Sequence, residues 1–479
     1  MLHQKQTIKG FFWNFLELTA ARLINFAALM FLARLLTEGD FGLIRMTVIF
    51  TAVAQIMIDG GFGNALIRKQ DCTEKDYNTV FYINITVSLL LYALFFFSAP
   101  LIANYYNEPQ LTLIIRVITL ILPINALAII QKTILTKELN FKTQAIASFI
   151  GVSVGFGVAV AMAFNGFGVW SLVIKTIVNQ AVVLIILWFA NKWRPKKVFS
   201  AQSFRELFGF GSKLLVIYLA AQILRSIYDS IIGKSYSKQK LGLYSNADAM
   251  AVIQSEIVTT MLNKVAFSAL SPFGNSPKLL KENLQKIMSP FIILSFTMSC
   301  VLIVIAEPLI IIALGQNWLG AVPYFQMLCL GYAALVLHIE NQIVMNITGH
   351  SDYFLKTEIL KMILFVPVIV LGIIFGLKTL IIGLVVHYWL GFAINSIYTK
   401  KLIDYGLFAQ IKDLIKPALF ALGVGICTFA VIFFNFSPLP TLILQFFTAI
   451  FSAFLISKIF KMKVFRELKA LLFNILKNK

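Results

Sequence analysis

The chain alternates between long apolar stretches and short polar connections. About fourteen stretches reach roughly 20 residues, the length at which an α-helix crosses the hydrocarbon core of a bilayer. They are continuous runs of Leu, Ile, Val and Phe, not the alternating segments of a membrane β-barrel, so each predicts a helix. The predicted spans cover residues 11–36, 42–66, 78–101, 110–134, 143–164, 168–190, 207–232, 241–271, 284–306, 318–345, 353–375, 378–399, 414–434 and 440–460. The predicted fold is an all-α polytopic membrane protein.

Composition and charge define how this chain sits in the membrane. Hydrophobic residues make up 59% of it and charged residues 13%, and the longest polar connection, residues 191–206, is too short for a soluble domain. The net charge is +20. With a cytoplasmic N-terminus, 29 of the 41 Lys and Arg residues fall in cytoplasmic connections and the C-terminal tail. The excess therefore predicts topology, with both termini cytoplasmic, and not a nucleic-acid partner. The basic stretches 192–197 and 461–469 also suit anionic lipid head groups.

The spans repeat within the chain. Four local matches occur in the same order in both halves, with an offset that grows from 200 to 215 residues: Gly42 with Gly242, Pro100 with Pro308, Lys142 with Lys356, and Gly168 with Gly383. Spans 1–6 and 7–12 are therefore predicted to form two parallel six-helix lobes around a central cavity. The predicted divisions are an N-terminal lobe (1–190), a basic cytoplasmic linker (191–206), a C-terminal lobe (207–400), and a region holding spans 13 and 14 and a basic tail (401–479).

Spans 13 and 14 fall outside the repeat, and two interpretations of them stay open. They form either a hydrophobic groove for a lipid tail or a pair of peripheral packing helices. The sequence contains almost no charge in these spans before Lys458, which is compatible with both.

Catalytic and metal-binding patterns are missing from the sequence. The four cysteines and four histidines are scattered, with no CxxC, no HExxH and no Ser/His/Asp pattern, so neither an enzyme nor a metal site is predicted. The glycine-rich segment 59–63 follows no strand and precedes no GK[ST], which favours a structural turn over a nucleotide loop.

Charged and polar side chains inside spans are costly, and they tend to face a cavity or a partner. Their excess of Arg and Lys suits an anionic substrate, because guanidinium groups bind phosphate oxygens bidentately. The predicted substrate-binding residues of the central cavity are Arg22, Asn25, Arg116, Lys175, Gln222, Arg225 and Lys264. The acids predicted to couple transport to an ion are Asp229, Asp248, Glu256 and Glu340.

Some of these charges have simpler interpretations. Arg225 and Asp229 have the i, i+4 spacing of a pair on one helix face, so structural pairing and a functional role are equally open. Arg34 and Arg45 flank the first outer connection and are predicted to be interface anchors that extend to water.

Several segments, in order, resemble a known family. They are FLARLLTEGDFGL (31–43), DGGFGNALI (59–67), YNEP (106–109), WRP (193–195), LGLYSN (241–246) and AEPL (306–309). Together they resemble the Wzx-type polysaccharide transporters (O-antigen, colanic acid and teichuronic acid exporters) of the multidrug/oligosaccharidyl-lipid/polysaccharide flippase superfamily. In one departure, Ala247 follows Asn246 where that family often has a basic residue.

The resemblance implies a flippase of the bacterial plasma membrane. Its substrate would be an undecaprenyl-pyrophosphate-linked oligosaccharide, moved to the outer leaflet by alternating access, with a polymerase and a chain-length regulator as pathway partners. No cofactor is implied, and a proton gradient, a sodium gradient and downstream polymerisation all stay open as driving forces. A cation-coupled small-molecule antiporter is the alternative function, and a membrane scaffold or a glycan-processing subunit without transport is a third.

Overall fold

The computed structural model describes residues 24–69 and 71–459, and predictions for other residues lie outside it. Within that part the chain is α-helical with short 3-10 turns and contains no β-strand, so the predicted all-α class is confirmed. The helices up to residue 235 are α1 (Ile24–Leu35), α2 (Glu38–Asp59), α3 (Phe62–Arg68), α4 (Glu74–Tyr106), α5 (Leu111–Ile118), α6 (Ile121–Lys137), α7 (Phe141–Phe164), α8 (Trp170–Ala190) and α9 (Ala201–Ser235). The following helices are α10 (Lys238–Leu270), α11 (Pro277–Val304), α12 (Ala306–Ala313), α13 (Val322–Ala333), α14 (Leu335–Ile347), α15 (Ser351–Phe375), α16 (Leu377–Ile403), α17 (Leu407–Phe429) and α18 (Pro438–Ile459).

Eleven segments in the described part are long and apolar enough to cross a membrane. Some of them join two helices, as in Gln316–Ile347, which contains α13 and α14. The structure also describes α9 and α10, which are 35 and 33 residues long, and the shorter apolar helix α1. The chain is therefore a multi-pass membrane protein, and its count of about fourteen spans stays a prediction.

Large apolar side chains cover the outside of several helices. On α15, Val366, Val370 and Ile374 are 57%, 49% and 65% exposed, and they recur at the four-residue spacing of one helix face. A soluble domain would bury such a stripe, whereas lipid solvates it. The exposed stripe therefore fits a helix in contact with the bilayer.

The chain divides into two compact units, with the boundary between Ser245 and Asn246. Unit 1 has an apolar core that includes Phe62, Phe81 and Ile130. In unit 2 an apolar core joins residues of α10, α11, α14, α16 and α17. The connection after α8 is shorter than predicted, because α9 begins at Ala201 inside the predicted linker. The predicted lobe limits stay a prediction.

The fourth span of each predicted repeat is broken near its middle. The first break lies between α5 and α6 at Thr119, and the second lies between α13 and α14 at Ala334. Both breaks follow a short N-terminal helix, of eight residues in α5 and twelve in α13. A shared interruption at the same place in each half supports the internal repeat.

The N-terminal turns of α2 and α10 cross in close contact within unit 1. A Cβ atom on Gly42 would lie 1.9 Å from the backbone oxygen of Lys238, and one on Gly242 would lie 1.8 Å from that of Glu38. Gly42 of α2 thus contacts the first residue of α10, and Gly242 of α10 contacts the first residue of α2. Such reciprocal contacts are typical of two elements related by a two-fold axis. The predicted match of Gly42 with Gly242 is confirmed.

The predicted match of Gly168 with Gly383 is wrong. Gly168 lies in the turn before α8 with φ +54°, whereas Gly383 lies inside α16 and packs against Val368. The turn before α16 is made by Gly376, with φ +102°. Gly376 therefore provides the positive φ before α16 that Gly168 provides before α8.

Candidate functional site

Three of the predicted substrate-binding residues cannot be placed as side chains. Arg22 lies outside the described residues, while Arg225 and Lys264 lie in α9 and α10 with side chains beyond what the structure describes. The i, i+4 pairing of Arg225 with Asp229 therefore stays a prediction. The basic cavity therefore stays a prediction.

Arg116, at the end of α5, binds the backbone of α4. Its Nε donates a hydrogen bond of 3.1 Å to the carbonyl oxygen of Phe96, and its guanidinium carbon lies 4.5 Å from the centre of the Phe96 ring. Pro100 follows four residues later and has no N–H, so this carbonyl lacks its helical donor. Arg116 thus supplies the hydrogen bond that Pro100 removes, and its contact with substrate stays a prediction.

The second half of the chain contains a corresponding contact. Gln326 in α13 donates a 3.0 Å hydrogen bond to the carbonyl oxygen of Ile303, near the end of α11 and shortly before Pro308. A fourth-span side chain therefore binds a third-span carbonyl near a proline in both halves. This arrangement supports the predicted match of Pro100 with Pro308.

The other predicted binding residues are separate from one another in the described contacts. Asn25 is exposed on α1, and Gln222 donates a 2.8 Å hydrogen bond to Ser226 one turn later in α9. Lys175 is half-buried in α8, and its ammonium has no hydrogen-bond or ion-pair partner among the described residues. Among the predicted substrate-binding residues, Lys175 has the surroundings that best fit a contact with an anionic substrate.

Asp229 is paired with Arg45, which corrects the prediction for that arginine. The Arg45 Nε lies 2.8 Å from Asp229 Oδ2, with side chains 30% and 8% exposed, so α2 and α9 are joined by an ion pair. Arg45 is therefore not an anchor that extends to water. No sequence pattern indicates this pair, because the two residues lie on helices far apart along the chain.

The remaining acids lie in unit 2. Glu256 is half-buried in α10, while Asp248 accepts a hydrogen bond from the Tyr332 hydroxyl of α13. The Tyr332 ring lies 5.8 Å from that of Tyr388, whose carbonyl oxygen is 2.6 Å from His338 Nε2. Aromatic and polar contacts therefore connect Asp248 to α16 and α14, and the sequence prediction had not included these tyrosines.

Glu340 has the most enclosed carboxyl group of the four acids. Its residue is 1% exposed in α14, and its Oε1 has no hydrogen-bond partner in the described part of the chain. The neighbouring Asn341 is paired with Gln410 of α17 by hydrogen bonds of 3.1 and 2.9 Å. The sequence indicates Glu340 as an acid within a span, but no pattern in it indicates this link to α17.

The glycine-rich segment 59–63 forms a turn, as predicted. Gly60 and Gly61 have φ values of +55° and +73°, and Asp59 Oδ1 accepts a 3.3 Å hydrogen bond from the Gly63 N–H. A Cβ on Gly61 would lie 2.4 Å from the backbone oxygen of Gly211 in α9. Gly61 thus permits both the left-handed turn and a close approach of α9.

The basic connection after α8 is bound along α4. The Lys196 backbone N–H donates a 2.6 Å hydrogen bond to Asn78 Oδ1, and that of Ser200 donates one of 3.0 Å to Thr79. Nearby, Lys69 lies 3.0 Å from Glu206. Burial lowers the pKa of Lys69, but its hydrogen bonds to Glu206 and Asp76 outweigh that effect and raise the pKa overall. The connection is therefore part of the folded unit.

Comparison with known proteins places the chain among polysaccharide biosynthesis proteins. The model of a family described as "Polysaccharide biosynthesis protein" matches residues 31–323. The chain is 25% identical to the teichuronic acid biosynthesis protein TuaB of Bacillus subtilis, over 89% of each chain. It is 26% identical to the succinoglycan biosynthesis transport protein ExoT of Rhizobium meliloti, over 70% of this chain and 68% of the relative.

A solved structure shares the fold. The lipid II flippase MurJ in an inward closed conformation superposes with a TM-score of 0.76 at 14% sequence identity, covering 96% of this chain and 99% of MurJ. At this identity the likeness shows the fold alone. That fold extends over almost the whole length of both chains.

Proposed function

Because the chain belongs to the polysaccharide biosynthesis protein family, we propose that it is a flippase for a lipid-linked oligosaccharide. It moves an undecaprenyl-pyrophosphate-linked oligosaccharide from the cytoplasmic to the outer leaflet, where the glycan enters a surface polysaccharide such as O-antigen, capsule or exopolysaccharide. The observation that carries the proposal is the similarity, over 70% of this chain, to a relative named as a polysaccharide transport protein. That relative, ExoT, is named for transport, which supports a transport function for this chain.

The proposed substrate has three parts with different chemistry. The pyrophosphate requires cations in a region of low dielectric constant, and Arg22, Arg225 and Lys264 are proposed to bind it. Arg116 and Lys175 add positive charge, and Lys175 is the one whose described surroundings leave its ammonium unpaired. The polar amides of Asn25 and Gln222 suit the sugars. The polyprenyl tail stays in lipid, so the lipid-facing helices need no polar site to bind it.

We place the protein in the bacterial plasma membrane with both termini in the cytoplasm, on the basis of its Lys and Arg distribution. In this orientation the connections after α3, α8 and α16 are cytoplasmic. Two lobes rocking about a central site would expose it to each side in turn. A polymerase and a chain-length regulator are the proposed pathway partners.

A cation-coupled antiporter for small molecules is the alternative function. It would use buried carboxylates to exchange protons or sodium for a cationic drug. The described contacts weaken this alternative, because Asp229 is paired with Arg45 and Asp248 accepts a hydrogen bond from Tyr332. A scaffold without transport would leave the unpaired ammonium of Lys175 without a role.

Reconstitution tests the proposed flippase directly. Proteoliposomes are loaded in the inner leaflet with a labelled undecaprenyl-pyrophosphate oligosaccharide, and an external glycosidase reports its arrival outside. We expect cleavage to depend on the protein, and Arg22→Ala and Arg225→Ala to reduce its rate at least about tenfold through loss of charge-assisted contacts. Arg205→Ala, at an exposed position in the first turns of α9, is the matched control and keeps the normal rate.

Two results would refute the proposal. In the first, the substrate stays protected in proteoliposomes while the same protein exports a cationic dye, which identifies the antiporter. In the second, Arg22→Ala and Arg225→Ala flip the substrate as fast as Arg205→Ala, which removes the basic site from the mechanism.

A further inference from the structure

Glu340 is a carboxyl group without a counter-charge in the described part of unit 2. It is 1% exposed, and its Oε1 is buried without a hydrogen-bond donor. A carboxylate in such surroundings is strongly disfavoured unless it gains a proton or a cation. The position therefore requires a small positive partner that the surrounding side chains do not supply.

The polar groups around Glu340 are already used by one another. Asn341 and Gln410 exchange two hydrogen bonds, and Gln410 also donates one of 2.8 Å to the carbonyl oxygen of Tyr405. The Tyr405 hydroxyl donates a 2.8 Å bond to Asp413, which also accepts one of 2.7 Å from Gln285. This network joins α11, α14 and α17, and its described donors leave Glu340 Oε1 unpaired.

The same network reaches the protein surface at Asp413. Asp413 is exposed near the start of α17, whereas Tyr405 is 2% exposed in the connection between α16 and α17. Burial raises the pKa of Tyr405, and the negative charges of Glu340 and Asp413 raise it further. The Tyr405 hydroxyl therefore keeps its proton and lies in the electrostatic field of both carboxyl groups.

The other charged groups near this helix are engaged elsewhere. On α11, the Lys281 ammonium donates to the Asp404 carbonyl oxygen and lies 5.7 Å from the centre of the Tyr405 ring. Towards α15, Gln342 donates to Glu358, which is paired with Lys361. On α14, His338 Nε2 lies 2.6 Å from the Tyr388 carbonyl oxygen of α16, and on α16 the His387 ring lies 5.0 Å from the Phe365 ring of α15. None of these described contacts supplies a charge to Glu340.

The surroundings favour a proton over a metal ion. Ca²⁺ takes six to eight oxygen ligands and Mg²⁺ takes six, whereas this position offers a single unpaired carboxylate oxygen beside amides that bind each other. No group of three or more His, Cys, Asp and Glu side chains that could hold a metal occurs in the residues described. A proton needs only the one oxygen.

We propose that Glu340 is a proton-binding site at the contact of α14 with α17. A hydronium ion gives its proton to the Glu340 carboxylate and becomes water, so one O–H bond forms as another breaks. Loading Glu340 removes the buried charge beside the Asn341 and Gln410 pair, and so stabilises the contact of α17 with α14. The coupling of this site to transport rests on the proposed flippase function, whereas proton binding itself does not.

Two measurements on the purified full-length protein test the site. The first is the infrared band of a protonated carboxyl group near neutral pH, which we expect in the wild type and not in Glu340→Gln. The second is the proton uptake on acidification, which we expect to fall by about one proton per chain in Glu340→Gln, because the amide does not titrate. Glu282→Gln, an exposed position on α11, is the matched control for both.

Transport under an imposed pH gradient tests the coupling. In proteoliposomes we expect Glu340→Gln to lose the acceleration of flipping by the gradient while slow downhill flipping continues. Glu340→Asp retains a carboxyl group and should keep both the carboxyl band and the proton count. If Glu340→Gln does not fold, Glu340→Asp and the wild-type carboxyl band still decide the question.

Several outcomes would overturn the proposal. They are a wild type with no protonated carboxyl band and a Glu340→Gln protein with unchanged proton uptake. Acceleration by a sodium gradient alone, lost in Glu340→Gln, would identify a sodium site instead. If the carboxyl band depends on Glu340 but the wild type flips nothing, the proton site stands and the flippase function fails.

Discussion

Arg116 shows how a charge inside a spanning helix can serve the backbone of its neighbour. Pro100 leaves the Phe96 carbonyl without its helical donor, and the guanidinium of Arg116 replaces it at 3.1 Å. The sequence had assigned this arginine to substrate binding because intramembrane cations are often functional. A partner on another helix is invisible to that argument, as Arg45 and Asp229 also illustrate.

A double-mutant cycle separates the two roles of Arg116. We expect Arg116→Met to lower the free energy of unfolding by about 1–3 kcal/mol, because the Phe96 carbonyl loses its donor. In a Pro100→Ala background the helix supplies an N–H to that carbonyl, so the same change should cost less. Thermal unfolding of the purified variants measures both effects. An equal loss in the two backgrounds would show that the contact with Phe96 does not stabilise the protein.

At the scale of elements, the crossing of α2 and α10 depends on two glycines. The backbone oxygens of Lys238 and Glu38 occupy the space where a Cβ on Gly42 or Gly242 would stand. Backbone atoms cannot rotate away as a flexible side chain can. Any larger residue must therefore separate the two helices.

Alanine substitutions test this packing. Gly42→Ala and Gly242→Ala should each destabilise the protein by about 1–3 kcal/mol, the usual cost of overpacking, and by similar amounts because the contact is reciprocal. Gly157→Ala in α7 is the control, since a Cβ there meets no atom within 4 Å and the change should be neutral or stabilising. Unfolding temperatures in detergent provide the comparison. If Gly42→Ala behaves like Gly157→Ala, the close crossing is absent in solution.

At the scale of the whole molecule, the number and direction of spans determine which groups face each side of the membrane. Eleven candidate spans are described, and the first predicted span, α9 and α10 together decide whether the full count is even. The proposed orientation places most Lys and Arg residues in the cytoplasm. A topology experiment therefore has to establish whether the number of spans is even or odd.

Cysteine labelling can establish it in a variant that lacks the four native cysteines. We expect an impermeant maleimide to label Asn165→Cys and Asn435→Cys in intact cells, because both exposed residues lie in proposed outer connections. Asn275→Cys and Lys401→Cys should react only after permeabilisation. The cysteine-free variant controls for background. Labelling of Asn165→Cys and Asn435→Cys from opposite sides would mean that the chain between them does not cross an even number of times.

The sequence by itself determined the properties that depend on local composition. Long apolar runs specify membrane helices because lipid leaves backbone groups no other partner, and the matches of Gly42 with Gly242 and of Pro100 with Pro308 revealed the repeat. The glycine turn after Asp59 was predicted for the same reason, since its backbone geometry is a local requirement.

Only the tertiary structure decided which polar groups meet. The pairing of Arg45 with Asp229, and the network that leaves Glu340 unpaired while joining Gln410 to Asn341, connect helices that are distant along the chain. Burial and ion pairing depend on how helices are rotated and packed against each other. The hydropathy of each helix specifies that it enters the membrane, but not which neighbour its few charges will face.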